Sequence, residues 1–173
     1  MTRPNRWLVL PLAVTLLATL SCTRDTPTAP VAPPEQSLLG NLLSATGLLQ
    51  CTPMPTASAT ATIGPEGGTM VIGPHRFVVP AGALETPVTI TAVAPSDHVN
   101  RVAFQPEGLV FERSASLTMS YANCNLLGKL LPKRIAYIDD NLNILSYLLS
   151  LDNLFAKQVT GQVNHFSSYA VAW

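Results

Sequence analysis

Beyond residue 57 the chain is a series of short β-branched or alternating runs, each closed by a turn signal, and this constrains its fold more than any other feature. Residues 59–63, 69–72, 75–79, 87–94, 101–104, 109–111, 117–121, 134–138, 144–149, 157–163 and 167–173 read as strands. Val88, Ile90 and Ala92 share one face of their run, and Leu117, Met119 and Tyr121 alternate with Thr118 and Ser120. Between the runs stand Gly64, Pro65, Gly67 and Gly68, then Gly73 and Pro74, Pro80 and Gly82, Pro106 and Gly108, and the triplet Asp139, Asp140 and Asn141. No long amphipathic helical pattern interrupts them. The expected class is all-β, an antiparallel sandwich or barrel.

Charge narrows the function. The 173 residues hold 10 Lys+Arg and 10 Asp+Glu, so the formal net charge is zero. A nucleic-acid binder normally shows a basic patch or stripe, and that class is set aside. Charged residues make up 12% of the chain against about 25% in ordinary soluble domains. With 47% hydrophobic residues, the chain as a whole does not have the composition of a disordered protein.

The N-terminus reads as an export signal. Arg3 and Arg6 precede an uncharged apolar run over residues 7–20, and small Ser21 leads into Cys22. The run is short for a membrane span, which needs about 20 residues. The stretch Ala18, Thr19, Leu20, Ser21, Cys22 resembles the lipobox of bacterial lipoproteins, with Thr19 where that pattern usually has Leu. The resemblance implies that residues 1–21 are removed, that Cys22 carries lipid, and that the domain is held to a membrane without a spanning helix. Thr23, rather than Asp, follows the Cys, which favours outer-membrane placement within the cell envelope. Removal of Arg3 and Arg6 leaves 8 basic against 10 acidic residues, a net charge near −2. With Cys22 lipidated, Cys51 and Cys124 remain as an even pair in an oxidising compartment, a disulfide.

Residues 22–36 follow the signal as a Pro-rich tether, with Pro27, Pro30, Pro33 and Pro34 favouring extended polyproline geometry. Residues 37–57 form a leucine-rich arm containing Leu38, Leu39, Leu42, Leu43, Leu48 and Leu49. A second leucine-rich run, Leu126, Leu127, Leu130 and Leu131, follows Cys124. The expected bond between Cys51 and Cys124 would pin the arm to the domain and bury the two leucine patches against each other.

Several stretches form an ordered series: Gly67 and Gly68; Pro80, Ala81, Gly82, Ala83, Leu84; Val88 and Ile90; Pro106, Glu107, Gly108, Leu109; and Leu117 to Tyr121. The series resembles the ZU-five domain, named for zonula occludens and Unc-five type proteins, over residues 58–173. The resemblance implies a β-sandwich with scaffolding or protein-interaction roles, and no shared substrate or cofactor. Fold alone does not give function.

One motif could carry chemistry. In some ZU-five relatives a His-Phe-Ser triplet near the domain end is a self-cleavage site, and the matching residues are His165, Phe166 and Ser167. The Ser167 hydroxyl would attack the Phe166 carbonyl with His165 as general base, and water would resolve the ester. On a regular strand His165 and Ser167 face the same side. Phe166 and Tyr169 share a face only across a bulge, expected at Ser167 and Ser168, which would also strain the bond. The simpler reading is a terminal strand with its aromatic inside. His75 and His98 have no ligand at metal spacing and read as solvated turn residues. Asp139, Asp140 and Asn141 read as a polar hairpin turn, not a Ca²⁺ loop. No cofactor or metal is expected. The function indicated is a membrane-tethered, non-catalytic module binding a protein or glycan partner; the alternative is a module that cuts its own Phe166–Ser167 bond.

Overall fold

The structure, a computed structural model, describes residues 47–173. The signal peptide, Cys22, the tether and Leu38, Leu39, Leu42 and Leu43 lie outside the described residues. The described chain is an all-β, antiparallel sandwich without a helix. In chain order the strands are β1 (Ala57–Ile63), β2 (Gly68–Ile72), β3 (His75–Val79), β4 (Val88–Ala94), β5 (Arg101–Gln105) and β6 (Val110–Ser120). They continue with β7 (Arg134–Ile138), β8 (Ile144–Tyr147), β9 (Ser150–Asn153), β10 (Gln158–His165) and β11 (Ser168–Ala172). One sheet has the order β1-β4-β5-β11-β7-β8, the other β2-β3-β6-β10-β9.

Alternation explains which faces meet. Ile90, Ala92 and Ala94 of β4 are buried, as are Ala115, Leu117 and Met119 of β6 and Val159, Gly161 and Val163 of β10. The residues between them point outward, where threonines pair across strands: Thr60 with Thr91 at 3.1 Å, Thr62 with Thr89 at 3.0 Å and Thr118 with Thr160 at 2.8 Å. Gly161 faces a tight contact between the sheets. A Cβ there would lie 3.1 Å from Ile135 Cδ1 of β7, which belongs to the opposite sheet.

Two elements differ from the strand reading. The runs read at 109–111 and 117–121 fall on one long strand, β6, whose ladder to β10 runs from Val110 to Ser120 and which β3 joins at residues 116–118. The run at 144–149 ends early, and β9 forms from Ser150–Asn153, a stretch of low strand propensity held by its ladder to β10.

Cys51 and Cys124 form a disulfide with sulfurs 2.04 Å apart. Around it, the Cys51 N–H donates to His98 O at 2.8 Å and the Asn125 N–H to Gln50 O at 2.8 Å. Asn123 donates through Nδ2 to Thr52 O at 2.7 Å and to Asn100 Oδ1 at 3.0 Å. The chain is thus fastened to the domain beside the disulfide, and the described leucines take different places. Leu48 packs with Val99, Ala136, Ile138, Ala170 and Ala172, and Leu49 enters the main core. Leu126 is partly buried, whereas Leu127, Leu130 and Leu131 stand in solvent. The Gly47–Leu49 backbone bonds to the end of β11, through Leu49 N–H to Val171 O and Trp173 N–H to Gly47 O, and this places Leu49 in the main core and Leu48 in the second cluster.

Replacing both Cys51 and Cys124 by Ala removes a cross-link between positions 73 residues apart. The expected loss is about 4 kcal/mol by the chain-entropy relation, read from urea unfolding. A loss below about 1 kcal/mol would show that the hydrogen bonds around the bond suffice to hold the arm.

Candidate functional site

His165, Phe166 and Ser167 form the passage between the sheets. His165 ends β10 in one sheet and Ser168 opens β11 in the other. His165 and Ser167, expected on one bulged strand, therefore flank a corner, and the register shift lies between Val163 and His165 in the β10–β6 ladder rather than at Ser167 and Ser168. The alternation rule holds only along one strand, so it does not bring His165 and Ser167 to one side.

A second crossing runs beside the first. The chain passes from β5 to β6 through Pro106, Glu107 and Gly108, with a cis bond before Pro106 and Gly108 at a φ of 78°. The two crossings are joined by backbone bonds: Phe166 N–H to Leu109 O at 2.7 Å, Gly108 N–H to Phe166 O at 3.0 Å, and Phe104 N–H to Ser167 O at 3.1 Å. The Tyr169 hydroxyl donates to His165 O. Burial, and then the neighbouring Tyr137, raise the Tyr169 hydroxyl well above its ordinary pKa, so it stays a donor.

The Phe166 ring is buried among aromatics from both sheets. It stacks on Phe104 at 5.0 Å and 12°, meets Phe111 edge-on at 5.0 Å, and lies 5.7 Å from Phe77. Ser167 is also buried. The His165 ring packs edge-on against Tyr137 at 5.1 Å, and its Nδ1 lies 3.5 Å from Phe166 O. Among the described residues no hydrogen bond joins His165 to the Ser167 hydroxyl. The arrangement places a donor, Gly108 N–H, on the Phe166 carbonyl.

Next to His165 a cavity of about 390 Å³ opens between the sheets. Tyr137, Tyr147 and Tyr169 line it with Ser114, Ser146, Gln162 and Asn164. The Arg134 guanidinium lies 4.2 Å over the Tyr147 ring, fixing that ring at the mouth. Sequence reasoning did not find this cleft. Its members sit on β6, β7, β8, β10, β11 and the β8–β9 link, and only the sheet order brings them together. Gly108 was the one legible signal, as the glycine of a Pro-Glu-Gly turn.

The remaining candidates are structural. His75 is not a solvated turn residue: it opens β3, is 1% exposed, and its Nδ1 accepts the Ser120 N–H at 3.2 Å. The β3 ladder carries it inward, on the face shared with Phe77 and Val79. His98 sits half-buried in the turn before β5, its N–H on Asp97 Oδ1 at 2.6 Å. Asp139 closes the β7–β8 turn, accepting from Asn141 N–H at 2.9 Å, Asn143 N–H at 2.8 Å and Asn143 Nδ2 at 2.9 Å. Those bonds, the Asn143 side chain first, hold its carboxyl below the usual range. Among the described residues no group of three or more His, Cys, Asp or Glu could hold a metal ion.

No family model matches the chain, and no curated protein matches it.

His75 makes the fold acid-sensitive. Burial lowers its pKa from 6.5 to about 4, so between those values the unfolded chain binds a proton that the folded one refuses. Stability is full above pH ~6.5 and falls as pH drops towards 4, by about 3 kcal/mol in all. Urea unfolding at pH 7 and pH 4.5 measures this, and a His75→Gln protein should lose most of the slope. Identical slopes in the two proteins would assign the acid sensitivity to other groups.

Proposed function

We propose that the chain is a non-catalytic, membrane-tethered β-sandwich that acts outside the cytoplasm and binds a protein or glycan. The observation carrying the binding reading is the cleft of about 390 Å³ beside the corner. Its tyrosine rings and its hydroxyl and amide side chains suit a polar ligand with flat apolar faces, such as a sugar ring or a peptide. The resemblance to ZU-five domains, whose roles are interactions, points the same way. The tether rests on the sequence of the first 22 residues, namely Arg3 and Arg6, the apolar run and Cys22.

Growth with a radioactive fatty acid tests the anchor: label enters the wild-type chain and is absent from Cys22→Ser. Equal labelling of the two removes the anchor from the proposal. The cleft is tested by Tyr147→Ala with Gln162→Ala, which should lose a partner captured from envelope extracts by the wild type while unfolding at the same urea concentration. Undiminished capture would place the binding surface elsewhere.

A second reading, self-cleavage at Phe166–Ser167, has one observation in its favour. The Phe166 carbonyl receives the Gly108 N–H at 3.0 Å, and His165 Nδ1 lies 3.5 Å from the same oxygen. The proposal made here expects an uncut chain. Mass spectrometry of denatured protein would decide: loss of residues 167–173, prevented by Ser167→Ala, would replace it with the self-processing module.

A further inference from the structure

Two loops at one end of the sandwich expose large apolar side chains. The loop between β6 and β7 carries Leu127 and Leu130, 86% and 97% exposed, and the β9–β10 turn carries Leu154 and Phe155, the latter 103% exposed. The loops are neighbours. The Tyr121 N–H donates to Lys157 O at 2.9 Å. Asp152 accepts the Tyr121 hydroxyl at 2.6 Å and the Lys133 N–H at 2.7 Å. The buried Lys133 ammonium donates to Lys129 O at 2.9 Å and to Leu131 O. The pair is braced from within by polar bonds, while its leucines face solvent.

Charge says what the loops meet. Residues 122–133 and 153–157 hold Lys129, Lys133 and Lys157 and no Asp or Glu. Lys133 is turned inward, so Lys129 and Lys157 are the cations left to the surface. Lys129 Nζ lies 3.4 Å over the Trp173 ring. Separate apolar knobs on convex loops leave gaps against a rigid partner, whereas a fluid acyl phase fills around each of them. Long basic side chains set behind such knobs reach the headgroup level.

We propose that this loop pair docks on a lipid bilayer carrying anionic headgroups, with Leu127, Leu130, Leu154 and Phe155 entering the acyl boundary and Lys129 and Lys157 at the phosphates. This contact does not need lipid on Cys22, and its test is separate from that of the anchor. The full chain carrying Cys22→Ser is floated with vesicles of phosphatidylcholine, alone or mixed with phosphatidylglycerol. A companion protein adds Leu127→Ser, Leu130→Ser and Phe155→Ser and has the same first 46 residues, so the difference between the two reports the loops.

The parent should partition onto mixed vesicles about tenfold or more better than its companion, from the apolar area withdrawn from water. It should prefer mixed over neutral vesicles roughly twenty-five-fold, about fivefold for each of the two surface cations. A polarity-sensitive label on Phe155→Cys, in the Cys22→Ser chain, should shift to the blue on mixed vesicles and be quenched by brominated acyl chains. This second measurement leaves the leucines untouched, so it stands even where the serine protein folds poorly. Equal flotation of two folded proteins, or a label that stays in water, overturns the proposal. Self-association without vesicles that the three serines abolish also overturns it, and makes the face a contact between copies of the chain.

Discussion

Phe166 lies where the chain leaves one sheet for the other, and its ring is held by aromatics from both. Phe104 comes from the β5 side, and Phe77 and Phe111 from the β3 and β6 side. Loss of a ring so placed costs about 3–5 kcal/mol in a protein core. Aromatic pair geometry adds about 0.5–1.5 kcal/mol for each good contact. The ring can sit there only because two crossings run side by side and satisfy each other's backbone groups. Without Gly108 N–H on Phe166 O and Phe166 N–H on Leu109 O, the corner would leave buried polar groups unpaired. The sandwich closes at this corner, and the cleft next to His165 exists because β10 departs from its sheet there.

The same features weigh on the chemistry of the Phe166–Ser167 bond. A donor on a carbonyl accelerates reaction only in so far as it binds the transition state more strongly than the ground state. Gly108 N–H already makes a good bond, at 3.0 Å, to the resting carbonyl oxygen. Attack would have to tilt a peptide whose neighbours are a packed ring and a second bonded carbonyl, on Ser167. The His165 ring spends its faces on Tyr137 and Tyr169. The corner holds two sheets together, and a self-cleaving chain would have to distort it.

Most strands were legible because each buries one face, and alternation reports that directly. Val88 to Ala94 and Leu117 to Tyr121 show it, and the disulfide followed from the cysteine count once Cys22 was set apart. Sheet membership left no such trace. A strand that changes sheets and one that bulges read alike, so the crossing at Phe166 looked like an irregular terminal strand. His75 was misread for a related reason: it follows Gly73 and Pro74, yet the ladder to β2 begins at His75 itself, opposite Ile72. β9 was invisible because Ser150, Asp152 and Asn153 carry no strand signal of their own. Asp152 is kept by its bonds to Tyr121 and Lys133, partners far from it in sequence.

The polar groups beneath the β6–β7 loop bear on why its leucines stay outside. Ordinarily an ammonium faces water and leucines turn inward. Here the space beneath the β6–β7 loop holds Lys133, capped by two carbonyls of its own loop and tied through its N–H to Asp152. Burial lowers the Lys133 pKa, the Asp152 charge works against that, and Lys129 adds to it. The same carboxylate, after burial, raises the Tyr121 hydroxyl and keeps it a donor. For Leu127 or Leu130 to turn in, the loop would have to displace an ammonium bonded to two of its own carbonyls. The interior is therefore occupied by polar groups, and the apolar side chains are left to whatever meets the loops from outside.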